Sequence, residues 1–301
     1  MRHVTERGQG IAALDSVPPV ALVLTGVASV QWGAGISITL FDDLGPAGTS
    51  VLRVGLGALV LLAMWRPRPW QHPARNVRLA IVFGLVLGSM NLCFYEALDR
   101  VPLGPAVTIE FIGPIGLATL LSRRASDFAW VGLAACGILL LAQPWSAGGG
   151  LDPVGLLFVL AAALFWALYI LLAQRAGRVF SGGEGLSIAM VFAALVPLVP
   201  GVAQAGSKLL QPSLLAAGLG VALLSSVIPY SLETEALRRM PARVFGVLMS
   251  LEPAFAALAG FIILGQGLSV TDLAAIALVV AASIGVTQSS PPQVVEAALD
   301  A

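Results

Sequence analysis

Residues 96–114 read EALDRVPLGPAVTIEFIGP, and residues 235–253 read EALRRMPARVFGVLMSLEP. The two stretches are in register at an offset of 139 residues: Glu96 matches Glu235, Pro102 matches Pro241 and Pro114 matches Pro253. Each sets a carboxylate close to its last proline, Glu110 in the first and Glu252 in the second. An acid and a helix breaker inside an apolar run are costly in lipid unless they face protein or a cavity. The shared EAL and the two aligned prolines favour an internal duplication over a chance likeness of two apolar runs.

The rest of the chain fits that setting. Of 301 residues, 58% are hydrophobic and 11% charged, with a mean hydropathy of +0.93. A water-soluble fold of this length cannot bury so much apolar surface, so the main solvent is lipid. A net charge of zero argues against a basic nucleic-acid footprint, and no nucleic-acid partner is expected. Cys93 and Cys136 both fall in apolar runs and make neither a disulfide framework nor a metal site, so no metal or cofactor is expected. Residues 1–19 are polar, and no short apolar stretch with a small-residue cleavage site follows them. No cleaved signal peptide is therefore expected.

Crossing a bilayer takes about 20 apolar residues. Ten segments qualify: 20–41, 47–65, 78–98, 103–121, 127–143, 152–173, 185–204, 213–235, 242–264 and 270–288. The cations alternate with them. Arg2 and Arg7, then Arg66, Arg68, Arg75 and Arg78, then Arg123 and Arg124, then Arg175 and Arg178, then Arg238, Arg239 and Arg243 all fall on one side. The other side has Arg100 and Lys208, and Arg53 lies inside a span. The positive-inside rule then makes both termini cytoplasmic, with tails at 1–19 and 289–301. Each half, 20–143 and 152–288, holds five spans. An odd number forces the halves to insert with opposite orientation, and inverted repeats are typical of secondary transporters, whose substrate site lies between the halves. The expected fold is an all-α polytopic membrane protein of ten transmembrane helices.

The runs SVQWGAGIS (29–37), LRVGLGALVLLA (52–63), VPLGPAVTIEFIGP (101–114), LLSRRASDF (120–128) and the long segment 229–266 resemble the EamA branch of the drug/metabolite transporter superfamily, in particular its threonine/homoserine exporter type. The resemblance covers nearly the whole chain. It implies two five-helix EamA repeats in a bacterial-type inner membrane, exporting small amino acids by exchange with protons. A broader drug or metabolite exporter of the same fold is the alternative. One departure stands out: EamA repeats commonly carry Leu-Gly-Glu after the ninth span, and here the residues are Leu264, Gly265 and Gln266.

Among polar groups at depth, Glu110 is about 10 Å into span four and Arg53 about 9 Å into span two, both from the outer side, at 1.5 Å per residue. Glu110 is a candidate to exchange a proton or bind a substrate amine. Arg53 either pairs with Glu110 or holds a substrate carboxylate through two hydrogen bonds. Glu252 is a second candidate acid. Its repeat counterpart is Gly113, so the two halves carry their acids out of register. Pro114 and Pro253 free the carbonyls of Glu110 and Met249, either for binding or as a packing kink. Gln31, Trp32, Asn91, Tyr95, Trp166, Tyr169, Tyr230 and Ser250 are further candidate lining groups. Glu96, Glu233 and Glu235 fall near helix ends, where headgroups or nearby arginines are the expected partners. Trp65 and Trp145 suit interface anchoring, and Gly84 with Gly88 forms a GxxxG pair for close helix packing.

An intramembrane enzyme is the competing class. The sequence has no HExxH, GxSxG or P-loop motif, and His3 and His72 both lie outside the spans. A receptor or scaffold would not need Arg53, Glu110 and Glu252 at depth. The expectation is a carrier rather than an enzyme.

Overall fold

The computed structural model describes residues 17–121, 125–142, 151–180, 182–239, 245 and 248–289. The two terminal tails, except for residues 17–19 and 289, and the side chains of Arg123, Arg124, Trp145, Pro241 and Arg243 lie outside the described residues. In chain order the helices are α1 (Pro19–Ile38), α2 (Phe41–Trp65), α3 (Ala74–Leu98), α4 (Leu103–Glu110), α5 (Ile112–Leu121), α6 (Ala125–Ala142), α7 (Pro153–Val179), α8 (Glu184–Leu195), α9 (Leu198–Ala205), α10 (Pro212–Ala222), a π-helical turn (Leu223–Val227), α11 (Ile228–Arg239), α12 (Glu252–Leu264) and α13 (Val270–Ser289). Among the described residues there is no β-strand.

Local chemistry sets many of these boundaries. Proline opens α1, α7 and α10, where its missing N–H is not needed. Asp152 caps α7, its Oδ1 accepting from the Gly155 N–H at 2.7 Å. Within α2, Gly45 adopts φ 67° and is followed by Pro46, so the continuous helix begins there.

Ten spans were the expectation, and the described helices bear out part of that number. Five described helices are each long and apolar enough to cross a membrane: Pro19–Ile38, Phe41–Trp65, Ala74–Leu98, Pro153–Val179 and Pro212–Glu233. A sixth arises if α8 and the segment Leu198–Leu210, bent by 50°, form one span. The remaining apolar helices, Leu103–Leu117, Phe128–Leu140, Glu252–Leu264 and Val270–Gly285, are shorter. Proline explains several of the interruptions. Pro114 follows the break between α4 and α5, Pro197 sits at the bend between α8 and α9, and Pro253 follows the turn at Ser250 and Leu251. Most of the first part of the expected span 242–264 lies outside the described residues. The chain is a multi-pass helical membrane protein.

The helices pair in a definite pattern. α3 packs on α7 and α8, α6 on α13, α11 on α1, α2 on α8 and α9, and α12 on α1 and α4. Close approach depends on missing side chains. A β-carbon at Gly84 or Gly88 would run into the carbonyls of Ala189 or Ala193 on α8, and one at Gly113 into the Ala163 carbonyl on α7. At Gly104 it would lie 3.0 Å from the Ala257 Cα on α12.

Polar contacts gather at the two ends of the bundle. At one, the Arg68 N–H donates to Glu184 Oε1 at 3.0 Å, His72 Nε2 lies 3.3 Å from Glu184 Oε2, and Arg239 Nη1 donates to the Val17 carbonyl at 3.2 Å. At the other, Lys208 Nζ donates to Asp43 Oδ1 at 3.3 Å, Gln204 Nε2 to Glu96 Oε1 at 3.5 Å, and the Leu103 N–H to Gln266 Oε1 at 3.1 Å.

Candidate functional site

Helices from both halves enclose a cavity of about 110 Å³. Its polar wall is made by Gln31 of α1, Arg53 of α2, Asn91 of α3, Glu110 of α4, Trp166 and Tyr169 of α7, Tyr230 and Glu233 of α11, and Glu252 of α12. Val30, Ala34, Met90, Phe94, Val107, Pro229 and Met249 complete it with apolar surface.

Arg53 is only 5% exposed. The π-helical turn positions it: Nη2 donates to the Ser225 carbonyl at 2.9 Å, and Nε to Ser226 Oγ at 3.4 Å. A wide turn of this kind leaves carbonyls without their usual helical donors. The neighbouring Leu224 carbonyl is used in the same way, accepting from Ser29 Oγ at 2.7 Å. On its other side the guanidinium lies 5.2 Å from the centre of the Tyr95 ring, a distance that suits a cation–π contact. Of the two uses the sequence left open for Arg53, the ion pair with Glu110 is not formed. The guanidinium is held by span eight instead, at carbonyls the sequence gives no hint of freeing.

Glu110 is the last residue of α4 and 8% exposed, and it has no hydrogen-bond or ion-pair partner among the described residues. Glu252 opens α12 at 7% exposure, and its Oε2 accepts from Gln31 Nε2 at 3.4 Å. Asn91 Nδ2 is committed to the Leu87 carbonyl at 2.8 Å, which leaves its side-chain oxygen uncommitted. Trp166 stands edge-on to Phe111, ring centroids 4.9 Å apart.

Of the residues singled out from sequence, Arg53, Glu110, Glu252, Gln31, Asn91, Trp166, Tyr169 and Tyr230 share this cavity. Three others lie elsewhere. Tyr95 is wholly buried behind Arg53, and its hydroxyl has no hydrogen-bond partner among the described residues. Ser250 Oγ pairs with Ser283 Oγ at 2.7 Å. Trp32 is half-buried and does not line the cavity. Pro114 is half-buried, one turn past Glu110, and Pro253 is buried as the second residue of α12. Glu96 and Glu235 pair with arginines one turn on, Arg100 at 3.2 Å and Arg239 at 2.9 Å.

Glu233 is the lining carboxylate that sequence reasoning placed near a helix end. The span drawn to residue 235 put it two residues from the edge, whereas the helix continues to Arg239. The spacing of Ser226, Tyr230 and Glu233 (i, i+4, i+7) sets all three on one helical face and is the signal that could have found it. Among the described residues, no group of three or more His, Cys, Asp or Glu is arranged to hold a metal ion.

The chain is similar to known proteins over most of its length. It is 42% identical over 271 residues to the threonine/homoserine exporter RhtA of Escherichia coli (strain K12), covering 89% of this chain and 91% of that one. The RhtA of Salmonella typhimurium (strain LT2) matches at the same identity and coverage. A crystal structure of another protein superposes with a TM-score of 0.63 at 17% identity, covering 90% of this chain and 97% of that chain, which shows a shared fold. Residues 153–288 match the EamA-like transporter family. Identity of this order to these exporters along nine-tenths of the chain, with the family match across its second half, establishes that this protein belongs to the EamA-like transporter family.

Proposed function

We propose that this protein is a secondary carrier, not an enzyme, that exports threonine and homoserine across a bacterial-type inner membrane by proton antiport with alternating access. The observation that carries the reading is the cavity that brings Arg53 together with Glu110 and Glu252. A zwitterion needs one fixed cation and at least one carboxylate within its own length. Arg53 retains guanidinium donors for a carboxylate, and Glu110 is an unpartnered acceptor for an ammonium. Size favours a small amino acid over the broader drug-exporter alternative. About 110 Å³ is well below the roughly 300–1,000 Å³ of drug-sized pockets. The RhtA relatives, named as threonine/homoserine exporters, supply the substrate class.

Ten crossings in two inverted repeats, with both termini cytoplasmic, complete the proposal. The helix pairing supports it. Exchanging each span with the one five later converts the contact of span three with span six into that of span eight with span one, and both exist. The contacts of spans two with seven, four with nine and five with ten map onto themselves. The polar contacts also sort as expected, since arginine-rich loops touch one another at one end and the remaining loops at the other.

The test is transport by the purified protein in proteoliposomes, with and without an imposed pH gradient. Uphill threonine and homoserine transport is expected with the gradient and not without it. Glu110→Gln should remain folded in the membrane and lose the coupled transport. Coupled transport at the wild-type rate by that variant would remove Glu110 from the mechanism, and transport of drugs but not amino acids would sink the substrate assignment.

A further inference from the structure

We propose that Glu233 is the carboxylate through which this cavity exchanges its proton with the Arg239 end of the bundle, opposite Arg53 and Glu110. The inference rests on the antiport reading above and adds a residue and a side to it.

Position comes first. Glu233 precedes Arg239, the last residue of α11, by six residues, hence about 9 Å along the axis. Glu110 lies seven residues past Leu103, about 10 Å from the opposite end. Both line one cavity, with Glu252 on a third helix. The cavity thus carries carboxylates toward its two extremes. Access follows the same axis: Glu110 and Glu252 are 8% and 7% exposed, whereas Glu233 is only half-buried. Its side chain packs beside Gly26 of α1, where an added β-carbon would lie at ordinary contact distance, 3.8 Å from Glu233 Oε1.

The charge inventory then gives the group its task. Facing Glu233 around the cavity are Arg53, Glu110, Tyr169 and Glu252 from the other helices, and Tyr230 from its own. Arg53 alone is cationic, and it is tied to the π-helical turn. Three carboxylates facing one guanidinium in a low-dielectric site cannot all remain anionic without a large penalty, so protons occupy part of the set. Glu110, buried and without a partner, marks where a ligand cation is wanted. When a substrate ammonium arrives at Glu110 or Glu252, a carboxyl O–H bond breaks and the carboxylate takes the ammonium as its partner. The displaced proton passes to Glu233, the more open group, and from there to water at the Arg239 end. In the return step a proton from the other side re-protonates the vacated carboxylate. One proton moves inward for each amino acid moved outward.

The experiment compares two assays on the full chain in proteoliposomes: threonine transport driven by a pH gradient, and threonine–threonine counterflow at uniform pH, which moves no net protons. Glu233→Gln is expected to lose gradient-driven transport by about tenfold or more while counterflow stays within about twofold, as for loss of a thermodynamic coupling without loss of the binding site. Glu233→Asp, which keeps the acid, should regain part of the gradient-driven rate. Wild-type coupling in Glu233→Gln, or equal loss in both assays, overturns the proposal. Should Glu233→Gln not fold, Glu233→Asp carries the test: its shorter arm must slow gradient-driven transport more than counterflow, and equal slowing overturns it. Failure of the wild type to respond to the gradient refutes the antiport reading itself, and is seen before any variant is made.

Discussion

Replacing Arg53 with glutamine separates a binding role from a structural one. A guanidinium has five N–H donors. Two are committed, Nη2 to the Ser225 carbonyl and Nε to Ser226 Oγ, so three remain for a substrate carboxylate, enough for a two-point contact. Hydrogen bonds to a charged group contribute about 1.5–3 kcal/mol each. Losing one predicts a rise in the threonine KM of roughly 10- to 150-fold at 1.4 kcal/mol per decade. Threoninol, which keeps the amine and the side-chain hydroxyl but has a CH2OH group in place of the carboxylate, should change by less than about threefold, since only the structural contacts of Arg53 are shared with it. The variant will also be less stable. Leaving the Ser225 carbonyl without its donor costs about 1–3 kcal/mol, and losing the contact with Tyr95 costs about 0.5–2 kcal/mol. Transport of the two compounds is therefore compared in proteoliposomes well below the melting temperature measured in detergent. Weakening of threonine and threoninol by the same factor would refute the reasoning and leave Arg53 as a brace between spans two and eight.

Gly84→Val should destabilise the protein by about 1–3 kcal/mol through overpacking against the Ala189 carbonyl, read as a lower melting temperature, whereas Gly55→Ala, with open space at its β-carbon, should not. Gln266→Glu should keep the acceptor for the Leu103 N–H and add a charge at the start of α4, raising stability by about 0.3–1 kcal/mol with unchanged transport. A loss of transport in that variant would show that position 266 has a coupling role rather than a capping one.

Much of the architecture was legible because lipid imposes simple rules. Apolar runs of crossing length follow from those rules, and five of them are helices long enough to cross. The breaks were partly legible through Pro114 and Pro253, but a proline does not reveal how short the resulting helices are. Polar residues in the middle of apolar runs were found by the cost of burying them, and most of them share one cavity. Tyr95 and Ser250 went elsewhere because composition does not tell which way a helix face turns. Glu233 was misplaced because its distance to the bundle end depends on where α11 stops. The unequal acids of the two aligned stretches have a steric cause visible only in three dimensions: Gly113, which aligns with Glu252, is pressed on the Ala163 backbone and has no room for a side chain. The first half carries its acid three residues earlier, at Glu110, opposite a second-half position filled by Met249.

The π-helical turn at Leu223–Val227 has a consequence beyond the carbonyls it offers. Such a turn is equivalent to one residue inserted into an α-helix, and each residue advances the helix by about 100°. The turn therefore acts as a phase shifter for span eight. Residues before it and after it are read out on faces that an uninterrupted helix would not align. Tyr230 and Glu233 look into the cavity because the wide turn absorbs that extra residue. A one-residue deletion there would close the turn into an ordinary α-helix with both side chains still on the cavity face, yet it would withdraw the carbonyl that holds Arg53.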